Sequence, residues 1–229
     1  MKKYLITLLS AIILISCASE NEQKALDEIA AIYQAKVAYS KGFHSNTNQK
    51  TITNFTIKVS NCKMMDTMNF RHASANMARV AYHNFTEKEK NKYDEIIVKL
   101  IKDKDSTMYS YDKDLLRLTD KKATTAIAFS ESILQHNFPK LDKLIDSECI
   151  KTSNFGLKMK KYISILENER GKITGYQLYK IGTTSAKNIN LKMIRYVGEF
   201  QFSKGKKAAY FVNINTMEGK DKVVGYKID

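Results

Sequence analysis

The chain of 229 residues has no tryptophan, one proline, nine glycines and three cysteines. A single proline (Pro139) and no long biased tract exclude a disordered stalk. The glycines are dispersed, so neither a phosphate-cradling P-loop nor a dinucleotide fingerprint can be assembled. There is no G-x-S-x-G elbow, and no HxxxH, HExxH or CxxC spacing. Carboxylate pairs such as Asp112/Asp114 and Glu87/Glu89 sit in charged segments and read as capping or solubilising residues. These absences remove the enzyme classes recognised by local motifs. No catalytic residue, metal or cofactor is assigned.

The first seventeen residues carry the strongest positive signal. Lys2 and Lys3 open them, Tyr4 to Ile15 form an apolar core, and Leu14-Ile15-Ser16-Cys17 closes them. That layout is a secretory signal. A membrane-spanning helix needs about 20 apolar residues, and this run has twelve. The last four residues resemble a bacterial lipobox. The resemblance implies cleavage before Cys17, with diacylation and amino-acylation of that residue, so lipidation at Cys17 is the expected modification. A plain secretory signal with an incidental Cys17 is the alternative. Residues 1–16 are then signal peptide and 17–23 a short polar tether, Ala18 to Gln23. Ala18 stands where an Asp resembles an inner-membrane retention signal, which favours the outer membrane of the cell envelope. Glu20 and Glu22 resemble surface-export signals or belong to a solvated linker.

Net charge is +14, and the loss of Lys2 and Lys3 with the signal leaves +12. Such charge invites nucleic acid. Only five basic residues are arginine, however, and Arg supplies the bidentate fork for phosphates and guanine edges. The lysines are scattered, with small clusters at Lys158–Lys161 and Lys204–Lys207. They read as a solvated surface, or as attraction to anionic headgroups, envelope polymers or an acidic partner. Nucleic acid is not an expected partner. Cys62 and Cys149 lie 87 residues apart and read as buried free thiols, with a disulfide as the alternative in an oxidising compartment.

Periodicity divides the rest. Ala25–Tyr39 reads as an amphipathic helix, residues 41–49 as a polar loop and Thr51–Val59 as a half-buried strand. A helix follows over Met64–His83 with Asp66 as cap, then a helical turn opened by Thr86. Tyr93–Lys102 reads as a buried strand pairing with Met108–Tyr111, and Leu115–Leu118 as a short helix. The order suggests a small α+β domain over residues 24–119. Asp120-Lys121-Lys122 is the expected boundary. Helices follow at Ala123–His136, Leu141–Ile145 and Leu157–Leu166, ending at Gly171. Four strands then form an antiparallel meander: Lys172–Ile181, Leu191–Phe202, Lys206–Met217 and Lys222–Ile228. The overall class is α+β.

The segment from Ala123 to Asp229, with GKITGYQLYKI (Gly171–Ile181) and VVGYKID (Val223–Asp229), resembles the NTF2-like or cystatin-like domains of many bacterial lipoproteins. The resemblance implies an NTF2-like domain over 122–229, whose bent sheet wraps the helices around a cone-shaped pocket. Tyr176, Tyr179, Tyr196 and Tyr210 are the candidate ligand-binding residues, since sheet tyrosines stack ligands or offer hydroxyls as well as forming strands. His72 and His83 share a helix face but stand about 16 Å apart, too far for one metal. The expected function is an envelope-anchored, non-catalytic binding or interaction module, its partners the membrane and a small molecule or envelope protein. An enzyme using the cavity for proton transfer or hydrolysis is the alternative.

Overall fold

The protein is described by a computed structural model covering residues 18–44, 51–64, 68–186 and 191–229. These form six helices and two four-stranded sheets, one mixed and one antiparallel. Cys17 and Asp66 lie outside the described residues.

Helix α1 (Glu20–Tyr33) starts from a capping box: the Ser19 hydroxyl accepts from the Glu22 amide, and the Glu22 carboxylate accepts from the Ser19 amide. The expected tether therefore ends early, because Glu20 to Gln23 are the first turn of this helix. Glu22 is not solvated. It is 1% exposed, pairs with Lys41 at 2.7 Å and accepts from the Tyr93 hydroxyl at 2.7 Å. Burial opposes its charge, but Lys41 and the Ser19 and Tyr93 donors outweigh that and hold its pKa below the usual carboxylate range. The helix stops at Gln34, in left-handed geometry at φ 47°. Val37 and Tyr39 consequently belong to strand β1 (Lys36–His44), not to the helix, and the expected loop is strand as far as His44. Four-residue spacing from Tyr33 to Val37 fits both periods, which is why the pattern misled.

Strand β2 (Ile52–Ser60) pairs antiparallel with β1. Helix α2 (Phe70–Asn84), capped by Asn69, and the short α3 (Glu87–Lys92), with a Thr86–Glu89 capping box, lead to β3 (Glu95–Lys102). That intervening stretch lets β3 run parallel to β2, since parallel neighbours need a long crossover. Strand β4 (Asp105–Asp112) returns through a tight turn at Asp103, φ 53°. Phe55, Ile57, Val98 and Leu100 are buried against Ile29, Tyr33, Ala73 and Met77.

A single helix α4 (Lys113–Leu134) runs through the expected boundary at Asp120–Lys122, where the sequence suggested two helices and a linker. Its charged residues are in use. Asp120 receives Arg79 at 3.4 Å, while Lys122, 1% exposed, donates to the Met217 carbonyl at 2.7 Å and pairs with Asp221 at 2.6 Å. Helix α5 (Phe138–Leu144) has Pro139 in its first turn, and α6 (Phe155–Arg170) ends at Gly171, φ 86°.

Strands β5 (Ile173–Ala186), β6 (Leu191–Phe202), β7 (Lys207–Asn215) and β8 (Val223–Ile228) form the antiparallel meander in chain order. The faces expected for two of them are observed, with Ile194, Tyr196, Phe200 and Phe202 buried on β6 and Tyr210, Val212 and Ile214 on β7. Opposite lie Ala126, Phe129, Ile133, Met159 and Ile163. Cys62 is buried, Cys149 is half-buried, and both are free thiols, so the disulfide alternative is not realised. No helix among the described residues is long and apolar enough to cross a membrane.

The halves meet where α2 lies along β5, the edge strand of the second sheet. A bulge between Leu178 and Lys180 turns the local backbone. The Leu178 carbonyl accepts from Asn76 Nδ2 at 3.2 Å and the Tyr179 carbonyl from the Tyr33 hydroxyl at 2.8 Å. Tyr33 is fully buried, and Asn76 donates to its hydroxyl at 3.0 Å. Tyr33→Phe orphans these groups and should cost about 1–3 kcal/mol, read as a lower urea midpoint. Tyr162→Phe removes a comparable bond to the Ile228 carbonyl at 3.0 Å in a partly exposed place. It should cost under about 1 kcal/mol. Equal losses would contradict this account of the seam.

Candidate functional site

The same seam opens into a cleft of about 240 Å³. The first turns of α2 contribute Arg71, His72 and Ala75, and Asn69 sets their direction by accepting from the His72 amide at 3.1 Å. The end of β4 supplies Tyr111, and the first turns of α4 supply Leu115, Leu116 and Thr119. Ile181, Gly182 and Thr183 of β5 and Ile194 of β6 close it.

Several polar lining groups are committed to the scaffold. The Tyr111 hydroxyl bonds the Ser74 hydroxyl at 2.6 Å and the Arg71 carbonyl at 3.0 Å. The Thr119 carbonyl accepts from Tyr196 at 2.5 Å, and its own hydroxyl reaches back to Leu115 at 2.9 Å. Arg71 is exposed and His72 half-buried. The His72 ring lies on Gly182, where an added Cβ would stand 2.9 Å from Nε2. Glycine permits this approach.

Burial lowers the His72 pKa, and Lys180, Arg71 and Arg195 push it in the same direction. Among the described residues, no Asp, Glu, Ser or Cys lines the cleft. The arrangement is an apolar slot with a cationic and imidazole rim. It suits a small anion with an apolar body, held by the Arg71 fork. Its volume is below the roughly 300–1,000 Å³ of pockets for drug-sized ligands.

A larger, more open groove of about 660 Å³ runs beside α5 and α6. Its charges serve one another. Glu167 is 7% exposed, pairs with Lys172 at 2.7 Å and His136 at 3.1 Å, and accepts from the Ile173 amide. Burial opposes ionisation of Glu167, yet those partners hold its pKa below the usual range.

None of the four candidate tyrosines lines the cleft. Tyr196 is fully buried with its hydroxyl on Thr119, so it supports the cleft wall from behind. Tyr210 is buried, stacks on Phe200 at 4.3 Å and bonds the Ser130 hydroxyl at 2.6 Å. Tyr176 is half-buried beside Glu131, and Tyr179 is half-buried at the bulge with Lys180 over its ring. On the face of the meander that meets the helices, Phe200 and Tyr210 share one core with Phe129 and Ile163. None of these side chains lines the cleft at the seam.

His72 and His83, alike in helical position, meet different partners: Gly182 for the first, Asp120 at 3.1 Å for the second. The Arg71–His72 pair behind an Asn cap was present in the sequence, but nothing local to it points to a β-strand more than a hundred residues later. Comparison with protein-family models finds no match, and searches of curated proteins and of solved structures likewise find none.

The unfolded chain protonates His72 near its ordinary 6.5, whereas the folded chain resists the proton to lower pH. More protons are then bound by the unfolded state, so stability falls as pH drops through that value. Thermal melts at about pH 7.5 and about pH 5.5 should show a smaller drop for His72→Gln than for the parent. An unchanged drop would refute the assignment.

Proposed function

We propose that the protein is an envelope-anchored lipoprotein whose folded body is a non-catalytic module for a small amphipathic anion, most simply a carboxylate. The cleft between α2, α4 and β5 carries this reading: Arg71 and His72 stand over apolar walls, with no acidic side chain among the described lining residues. Anchoring rests on the leader that ends Leu14-Ile15-Ser16-Cys17, and the Ala18 that follows favours the outer membrane. Three helices followed by an antiparallel meander support an NTF2-like architecture for the C-terminal half. In this reading the site lies at the seam beside that sheet, where the cleft is.

An enzyme working inside the sheet would need an open cavity with a titratable group. The packing of Phe129, Phe200 and Tyr210 lends that alternative no specific support.

Two measurements test the proposal separately. Labelling of cells with a palmitate analogue should mark the parent chain, and Cys17→Ser should lose both the label and membrane recovery. Titration of purified protein with short aliphatic and aromatic carboxylates should raise the melting temperature. Arg71→Ala should weaken that binding about tenfold or more, as expected for losing a charge-assisted hydrogen bond. Equal stabilisation of parent and Arg71→Ala would rule the cleft out as the site.

A further inference from the structure

The chain leaves its folded body at a fixed point. Ser19 is held by Glu22 through the capping box and by a hydrogen bond from its hydroxyl to Glu89 of α3. Only Ala18 separates it in sequence from Cys17. Two residue steps reach about 7 Å at full extension. Acyl chains on Cys17 would therefore leave the body no slack to float away from the bilayer. Whatever surrounds Ser19 must meet the headgroups.

That surroundings can be read from the register. Lys41 of β1 pairs with Glu22, which places this part of the strand beside the start of α1. Two residues on, and on the same strand face, Phe43 is 75% exposed, the highest value among the large apolar side chains described. Phe43 pairs with Thr53, whose hydroxyl donates to the Lys92 carbonyl at the end of α3. The start of α1, α3 and Phe43 therefore share one end of the mixed sheet. Lys24, Lys88 and Lys92 are exposed there. Of the nearby acids, Glu22 is buried, Glu89 is bound by Ser19 and Thr86, Glu87 pairs with Lys90 at 3.0 Å, Asp94 accepts from the Thr53 amide and hydroxyl at 2.9 Å, and Glu95 stands 3.7 Å from His44. Glu20 remains exposed. An exposed aromatic ring flanked by lysines is the composition of a surface that sits at the headgroup level of an anionic bilayer.

We propose that this end of the molecule docks on the membrane, with Phe43 inserted among the headgroups and Lys24, Lys88 and Lys92 facing anionic lipid. This rests on acylation at Cys17. It turns the anchor from a flexible leash into an orienting contact that presents one side of the body to the bilayer.

The absence of tryptophan supplies the test. Phe43→Trp and Ile165→Trp, the latter on α6 at a position 64% exposed, each create a single-tryptophan protein. The full lipidated chain of each is reconstituted into phosphatidylglycerol-containing vesicles, with and without brominated acyl chains. Tryptophan at 43 should emit at shorter wavelength on reconstitution and be quenched by the bromolipid, while tryptophan at 165 should do neither. Water-like emission from both, in protein that carries the palmitate label, would overturn the docking but leave the anchor standing. A blue shift at 43 without bromolipid quenching would mean that protein covers Phe43, and would also overturn it. Equal quenching at both positions would remove the preferred orientation. Loss of the label itself would instead refute acylation.

Discussion

Everything between the two sheets depends on how the exposed edge of β5 is satisfied. An edge strand presents carbonyls that must find partners once a helix covers them, because a buried orphan costs about twice what a formed bond contributes. Tyr33 and Asn76 close the Tyr179 and Leu178 carbonyls. This explains why α2 carries polar residues at positions that are nine-tenths or more buried. Asn76 is inside to reach the strand, and Arg79 approaches its side-chain oxygen at 3.4 Å while extending to Asp120. A helix packed on only one sheet would have no use for them.

From Asp120 the same logic passes into α4, which serves both halves. Its Thr119 carbonyl takes the Tyr196 hydroxyl from inside the second core, and Lys122 fixes the turn between β7 and β8. Removing one partner from a buried pair leaves a desolvated charge, so such contacts define geometry more than they add stability. The cleft lies at the other end of this seam. There the rim is cationic, and the neighbouring charges Arg71, Lys180 and Arg195 all disfavour a protonated His72. An anion in the slot would relieve that repulsion.

Much of the secondary structure was readable from pattern. Strand β6 alternates between two faces from Ile194 to Phe202, and Thr86 opens α3 as expected, through a capping box with Glu89. A second capping box, Ser19 to Glu22, was equally visible but lay in a segment that composition marked as a tether. Helix α4 was divided because Asp120-Lys121-Lys122 resembles a charged linker, although it contains no helix-breaking residue. Strand β1 was absorbed into α1, since Val37 suits either period and only the left-handed Gln34 ends the helix. Of the candidate tyrosines, Tyr196 and Tyr210 satisfy their hydroxyls within the core. Type and alternation cannot distinguish a tyrosine that offers its hydroxyl to a ligand from one that spends it on a backbone carbonyl.

Local composition by itself determined the α+β class, the order of most elements, the apolar run Tyr4–Ile15 that precedes Cys17 and the lack of motif-borne chemistry. Those properties depend on neighbours a few residues apart. Tertiary structure alone decided that α4 is one strut, that Glu22 and Lys122 are buried charges, and that Arg71 and His72 share a cleft with Gly182. Each of these depends on a partner tens to more than a hundred residues away, and the energy of such a contact is written in no single stretch of sequence.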